Sequence, residues 1–206
     1  MELLIIRHGE SEADLLGVHE GRANFPLTEL GIVQARKMAA YVNIHFPPNV
    51  ILSSTLSRAM STATILHSMI GCEFYEEPDL MEFNNGVLAG LPRGEAAIKY
   101  PLPEQGRPIY LPIEAGESEL EFRYRAEYIL HKIIEEYKDY QRVAIVSHGG
   151  MISNLIKAFL QLPVTSDYIF TTGDTGIHLL SIKKDKRIIN FLNRLDHIND
   201  EKEVIK

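Results

Sequence analysis

His8 and His148 occupy the same kind of place in this chain. "LLIIRHGE" (residues 3–10) and "VAIVSHGG" (residues 143–150) each run four apolar residues into a polar one, then His-Gly. A short buried strand ending in this way would present its histidine at the carboxyl edge of a sheet, where ligands of open α/β sheets bind. The glycine that follows lets the backbone turn sharply and a ligand come close. A helix starting there offers unpaired backbone N–H groups, which favour anions. Arg7 precedes the first histidine, and Arg58 lies early in the helix that follows "VILS" (50–53), so it projects near the same edge. Imidazole nitrogen is a competent nucleophile toward phosphorus. Guanidinium forks and a second, protonated histidine can neutralise the equatorial oxygens of a transferring phosphoryl group. A carboxylic acid must then protonate the leaving alcohol.

The elements that must position these groups alternate. Residues 3–6, 50–53 and 142–147 read as buried strands, and 73–76 as a short one. "PLTELGIVQARKMAAYVNIHF" reads as a helix with Thr28 as N-cap, stopped by Pro47-Pro48. "TLSRAMSTATILHSMIG" reads as a second helix ending at Gly71. A long amphipathic helix follows from Glu117, and another from His148 to before Pro163. "TGIHLLSIK" and "RIINFLNRL" read as closing strands around the turn "KDKR". The mixed charged and apolar residues after them are expected to fray. Strands alternating with helices predict an α/β sandwich with a mostly parallel sheet, and the closing hairpin predicts an antiparallel edge. Five of the ten prolines lie between Pro92 and Pro112, among glycines, so residues 84–116 read as a lid-like insertion. Arg93 and Arg107 within it could either meet a second anionic group of a substrate or face solvent.

Composition narrows the classes. One domain spanning 1–206 is expected for this length. A net charge of −7 argues against a nucleic-acid partner, and no apolar run approaches the ~20 residues of a membrane span. The chain carries no signal-peptide pattern, and its single cysteine, Cys72, fits a cytoplasmic location. There is no Gly-x-Ser-x-Gly elbow, Walker A loop, Gly-x-Gly-x-x-Gly or His-Glu-x-x-His spacing, so neither a cofactor nor a metal is expected.

Six stretches, "RHGES", "PLTELG", "SSTLSRAMSTA", "LMEFNNG", "GES" (116–118) and "VSHGG", are similar in identity, order and spacing to the histidine phosphatase superfamily, also called the phosphoglycerate mutase-like family. The resemblance covers nearly the whole chain. It implies a three-layer α/β fold with helices on both sides of the sheet, and a metal-independent reaction through a phosphohistidine. Carried onto this chain, His8 resembles the nucleophile, Arg7, Arg58 and His148 the phosphate pocket, and Glu82 the proton donor. A donor must hold its proton, so activity is expected to fall as pH rises. Ser11 and Gly149 are candidates for further phosphate contacts. The chain departs from the pattern at Ala13-Asp14, where many members have Trp-Asn, and at Glu20-Gly21, where Gln-Gly is common. Asp14 would repel phosphate unless protonated or turned away. These acids imply an altered substrate preference: Arg22 or another cation pairs with them, or they bind a substrate hydroxyl or amine.

The resemblance leaves two enzymatic readings, a phosphatase for small phosphate monoesters and a cofactor-dependent phosphoglycerate mutase. Short length and the lack of tryptophan favour the phosphatase. A non-catalytic phospholigand-binding protein is the reading from another class. Either a monomer or a homodimer fits.

Overall fold

The computed structural model describes residues 1–199. Six strands, β1 (Glu2–Arg7), β2 (Val50–Ser53), β3 (Glu73–Glu76), β4 (Arg142–Ser147), β5 (Ile177–Lys183) and β6 (Lys186–Arg194), form one sheet in the order β3-β2-β4-β1-β5-β6. The first four run parallel; β5 and β6 add an antiparallel edge. The expected mixed sheet is therefore present. Seven helices accompany it: α1 (Glu12–Leu16), α2 (Glu29–His45), α3 (Ser57–Ile70), α4 (Arg93–Lys99), α5 (Glu119–Glu136), α6 (Gly149–Phe159) and α7 (Asp196–Asn199).

The continuous apolar runs have a physical reason. Leu3, Ile5, Leu52 and Ile145 pack against residues of α5 and α6, while Leu4, Ile6, Ile51 and Val146 pack against α2 and α3. Both faces of the central strands are covered, so neither face needs polar residues. This gives the expected three layers. Lys184 and Asp185, both with positive φ (48° and 63°), make the two-residue turn of the β5–β6 hairpin, in the mirror-image form that suits strand twist.

Thr28 caps α2 as expected, its hydroxyl accepting from Gly31 N–H at 2.9 Å. Gly31 has a role beyond a tolerated early glycine. A Cβ there would lie 2.1 Å from the Glu10 carbonyl oxygen, so glycine is what lets α2 close onto the loop after β1.

The 84–116 segment holds α4, and it is tied to the body of the fold by backbone hydrogen bonds. His19 N–H donates to Leu91 O (2.9 Å), Gly90 N–H to His19 O (2.7 Å) and Glu117 N–H to Asn84 O (2.8 Å). At the chain's end, residues 196–199 form α7 instead of fraying, and the remainder of the expected frayed tail, 200–206, lies outside the described residues. No helix among the described residues is long and apolar enough to cross a membrane.

Candidate active site

β1 and β4 are neighbours, with Arg7 paired to Ser147, so the residues that follow each strand emerge side by side. The helices beyond them leave to opposite faces, α2 to one and α6 to the other, and this opens a crevice at the strand ends. His8 and His148 meet there with ring centroids 5.0 Å apart, each only 1% exposed. His8 Nδ1 lies 2.7 Å from the Gly9 carbonyl, which can only accept, so Nδ1 carries the proton. Nε2 keeps its lone pair and accepts from Arg58 Nε–H at 3.3 Å. Burial, then the charges of Arg58 and Arg7, hold the His8 pKa well below its ordinary value, against the opposing pull of the Gly9 carbonyl. The ring is a neutral base with one defined nucleophilic nitrogen.

His148 caps α6, with Nε2 2.7 Å from Ser54 Oγ. Burial, followed by Arg58, His8 and Arg7, depresses its pKa as well. Shielded from water and surrounded by cations, it favours the neutral form in the absence of a bound anion.

Arg58 is fully buried on α3. Its Nη atoms donate to the Ala23 and Gly21 carbonyls (3.0 and 2.8 Å), and its Nε lies 3.1 Å from Glu20. Arg7 donates to the Thr172 carbonyl (2.7 Å) and pairs with Asp174 (3.3 Å). Arg7 Nε and His148 Nδ1 are both buried without a hydrogen-bond partner among the described residues, an arrangement that suits an oxyanion between them. Glu82 completes the ring. One carboxylate oxygen accepts from Phe83 N–H (2.7 Å) and the other from Gly150 N–H (2.8 Å). A Cβ on Gly150 would lie 2.5 Å from the Glu82 carboxylate, so a side chain there would displace the Glu82 side chain from this position.

The weaker candidates divide. Gly149 begins α6 beside Arg7, at 3.9 Å from Arg7 Nε to an added Cβ. Ser11 is buried, but its hydroxyl faces the carboxylates of Asp14 and Glu20, so its proton is already committed. Asp14 accepts from Ser11 N–H at 2.9 Å, at the start of α1, and its charge reaches Arg58 and Glu20. In Glu20, one oxygen touches Arg58 and the other is 4.0 Å from His8 Nε2. Burial raises its pKa, while Arg58 and the Ser11 hydroxyl pull it down. Gly21 contributes its carbonyl to Arg58. The expected pairing of Arg22 with Glu20 or Asp14 is not found: Arg22 donates to the Glu82 carbonyl (3.3 Å) and faces Glu117 (3.8 Å), and Arg58 is the cation that meets Glu20.

Several supporting residues were not singled out from the sequence. Ser54, immediately after β2, could have been found by asking what lies at every strand's carboxyl end. Arg125 on α5 holds the Glu82 segment through the carbonyls of Asp79, Met81 and Glu82 and through Glu117, contacts between distant parts of the chain that leave no local mark. His178 on β5 is buried and bridges Asn193 N–H, which donates to Nδ1 (3.2 Å), and Thr172 Oγ1, which faces Nε2 (2.9 Å). It thereby fixes the loop whose carbonyl holds Arg7.

Burial lowers the His178 pKa to about 4. A depressed folded-state value means the unfolded chain takes up the proton first, so stability present above pH ~6.5 is lost as pH falls toward 4. His178 alone accounts for about 3 kcal/mol of that loss, and His8 and His148 act in the same direction. Glu20 and Asp174, raised by burial, act oppositely. Urea unfolding at pH 7 and pH 4.5 is therefore expected to show a smaller loss in His178→Gln than in the wild type. An equal loss in both would refute the buried neutral assignment.

Residues 3–195 match the family model described as the histidine phosphatase superfamily (branch 1). The chain is 27% identical to the metal-independent phosphoserine phosphatase of Arabidopsis thaliana, over 96% of this chain and 83% of that protein. It is 31% identical to the adenosylcobalamin/alpha-ribazole phosphatase of Salmonella typhimurium, over 82% of this chain and 85% of that one. The crystal structure of the alpha-ribazole phosphatase from Shigella flexneri superimposes with a TM-score of 0.84 at 27% identity, covering 94% of this chain and 96% of the other.

Proposed function

Because the chain belongs to the histidine phosphatase superfamily (branch 1), we propose that it hydrolyses small phosphate monoesters, with no metal ion, through a phosphohistidine formed on His8. The whole chain acts as one such domain, and residues 84–116 form its substrate loop. The observation that carries the reading is the His8 ring: Nδ1 is tied to the Gly9 carbonyl, and Nε2 keeps its lone pair in a buried pocket flanked by Arg58, Arg7 and His148.

In the first half-reaction His8 Nε2 bonds to phosphorus and the bond from phosphorus to the alcohol oxygen breaks, with its electron pair leaving on that oxygen. Glu82 supplies the proton the oxygen needs. Arg7 and Arg58 meet the equatorial oxygens, and the phosphoryl dianion makes protonation of His148 favourable where the protein alone does not. In the second half-reaction Glu82 takes a proton from water as the water oxygen attacks phosphorus, and the bond to Nε2 breaks. The arginines supply the charge neutralisation that a metal would otherwise provide. The partner is a small phosphate ester, and a lone, partly buried Cys72 suits a reducing cytoplasm.

Denaturing the enzyme during turnover of a ³²P-labelled monoester in EDTA tests this. The expected result is label on the peptide holding His8, stable to base and lost in acid. Label on another residue, or none during active turnover, would overturn the phosphohistidine.

Glu20 places an acid beside the nucleophilic nitrogen. When ionised it opposes a phosphate dianion across a few ångströms, so inorganic phosphate is expected to bind more weakly as pH rises through the elevated Glu20 pKa. Glu20→Gln should lower the inhibition constant of phosphate at pH 7.5 by about tenfold and flatten its pH dependence, the scale expected for one like charge at partial burial. An unchanged inhibition constant would show that Glu20 does not face the anion.

A further inference from the structure

Beside Glu82 lies a cleft of about 530 Å³ that shares Glu82, Gly149, Gly150 and Thr172 with the site just described. Its walls are Phe83, Phe122, Ile169 and Phe170, and its polar side chains include Glu119 and Asn154. Phe83 and Phe122 pack as a tilted pair with centroids 5.3 Å apart. Among the described residues no lysine or arginine lines it. The cations that touch its lining residues are engaged elsewhere: Arg7 donates to the Thr172 carbonyl and pairs with Asp174, Arg123 donates to the Asn154 and Leu162 carbonyls and pairs with Glu127, and Arg125 stacks on Phe122 at 4.9 Å with all five of its N–H donors spent on Asp79, Met81, Glu82 and Glu117. Arg93 of the lid lines a cavity that shares no residue with this cleft, whereas Arg107 lines a neighbouring cavity that shares Phe83 and Glu119 with it.

With phosphate on His8, the alcohol portion must extend past Glu82, the proton donor, and the cleft is the space open to it there. We propose that this cleft selects the leaving group, and that the enzyme's substrates are monoesters of apolar or aromatic alcohols that are neutral or cationic, not alcohols bearing a carboxylate or second phosphate. The inference rests on the phosphatase reading. Apolar walls reward the burial of hydrocarbon. Glu119, exposed at the start of α5, puts a carboxylate on the cleft wall and so disfavours an anionic leaving group. The same feature disfavours the mutase alternative, since phosphoglycerates carry a carboxylate.

The test compares benzyl phosphate with 3-phosphoglycerate, both primary alkyl esters, alongside p-nitrophenyl phosphate as a general probe. The wild type is expected to favour benzyl phosphate by about 100-fold or more in kcat/KM. Glu119→Lys should shrink that ratio at least tenfold. Ile169 is 77% exposed, so Ile169→Ser should leave the fold intact; it is expected to lower kcat/KM for benzyl phosphate about threefold to tenfold. Equal or better use of 3-phosphoglycerate by the wild type, or a ratio indifferent to Glu119→Lys, would overturn the specificity and leave the phosphatase standing. No turnover of any of the three esters would overturn the phosphatase reading and this inference with it.

Discussion

Replacing His8 by alanine is expected to lower metal-independent hydrolysis of p-nitrophenyl phosphate by ~10⁴-fold or more, measured in EDTA against a far-UV circular dichroism control. The size follows from how the site is built. His8 Nε2 carries a proton-free lone pair fixed in the crevice, since Nδ1 is held on the Gly9 carbonyl. His148 does not replace it: its Nε2 is engaged with Ser54. The backbone around His8 is expected to survive the change. His8 N–H donates to Ser147 O (3.1 Å) and its carbonyl accepts from Thr175 N–H (3.1 Å), and neither bond involves the ring. Arg58 likewise keeps its Gly21 and Ala23 carbonyls. A folded variant with more than about a tenth of wild-type activity would mean that another group attacks phosphorus. The ³²P experiment on the same protein separates that outcome from an intermediate too short-lived to trap.

What could be read from the sequence follows from what is local. The central strands are buried on both faces, so their apolar runs are uninterrupted and easily seen. A His-Gly after each run marks the strand's carboxyl end, and adjacency of β1 and β4 then brings the two histidines together. Arg58 was visible because it lies in the first turn of the helix after β2. The fates of the acids were not visible. Asp14 and Glu20 lie close in sequence, yet one caps α1 and the other enters the pocket, and only the path of the loop between α1 and α2 decides which. The need for Gly31 in the first turn of α2 is set by a carbonyl twenty-one residues earlier. The charge of His148 was not legible, because it depends on burial first and then on Arg58 arriving from another element. α4 escaped notice because prolines and glycines surround a single short stretch without breaking it.

The second large effect concerns Glu82, and its signature lies in which ester is used. In Glu82→Gln, kcat/KM for benzyl phosphate is expected to fall about 10²- to 10⁴-fold, the range of general acid catalysis, while kcat/KM for p-nitrophenyl phosphate stays within about tenfold of the wild type. The contrast arises because kcat/KM reports the steps up to departure of the alcohol. Nitrophenolate leaves without a proton, whereas an alkoxide needs one. By contrast, kcat includes breakdown of the phosphohistidine, where Glu82 serves as base, so kcat is expected to fall for both esters. Geometry adds a condition. Both Glu82 oxygens accept from backbone N–H groups, Phe83 on one side and Gly150 on the other. To hand a proton to the leaving oxygen, the carboxyl group must turn from one of them as the substrate arrives. The Phe83 contact is local to the residue, whereas the Gly150 contact ties Glu82 to the start of α6 beside His148. Arg125 and Arg22 grip the Glu82 carbonyl and not its side chain, so the side chain can turn while the backbone stays in place. Equal losses of kcat/KM for the two esters would assign Glu82 to holding the phosphate pocket together and leave the proton donor to be found elsewhere.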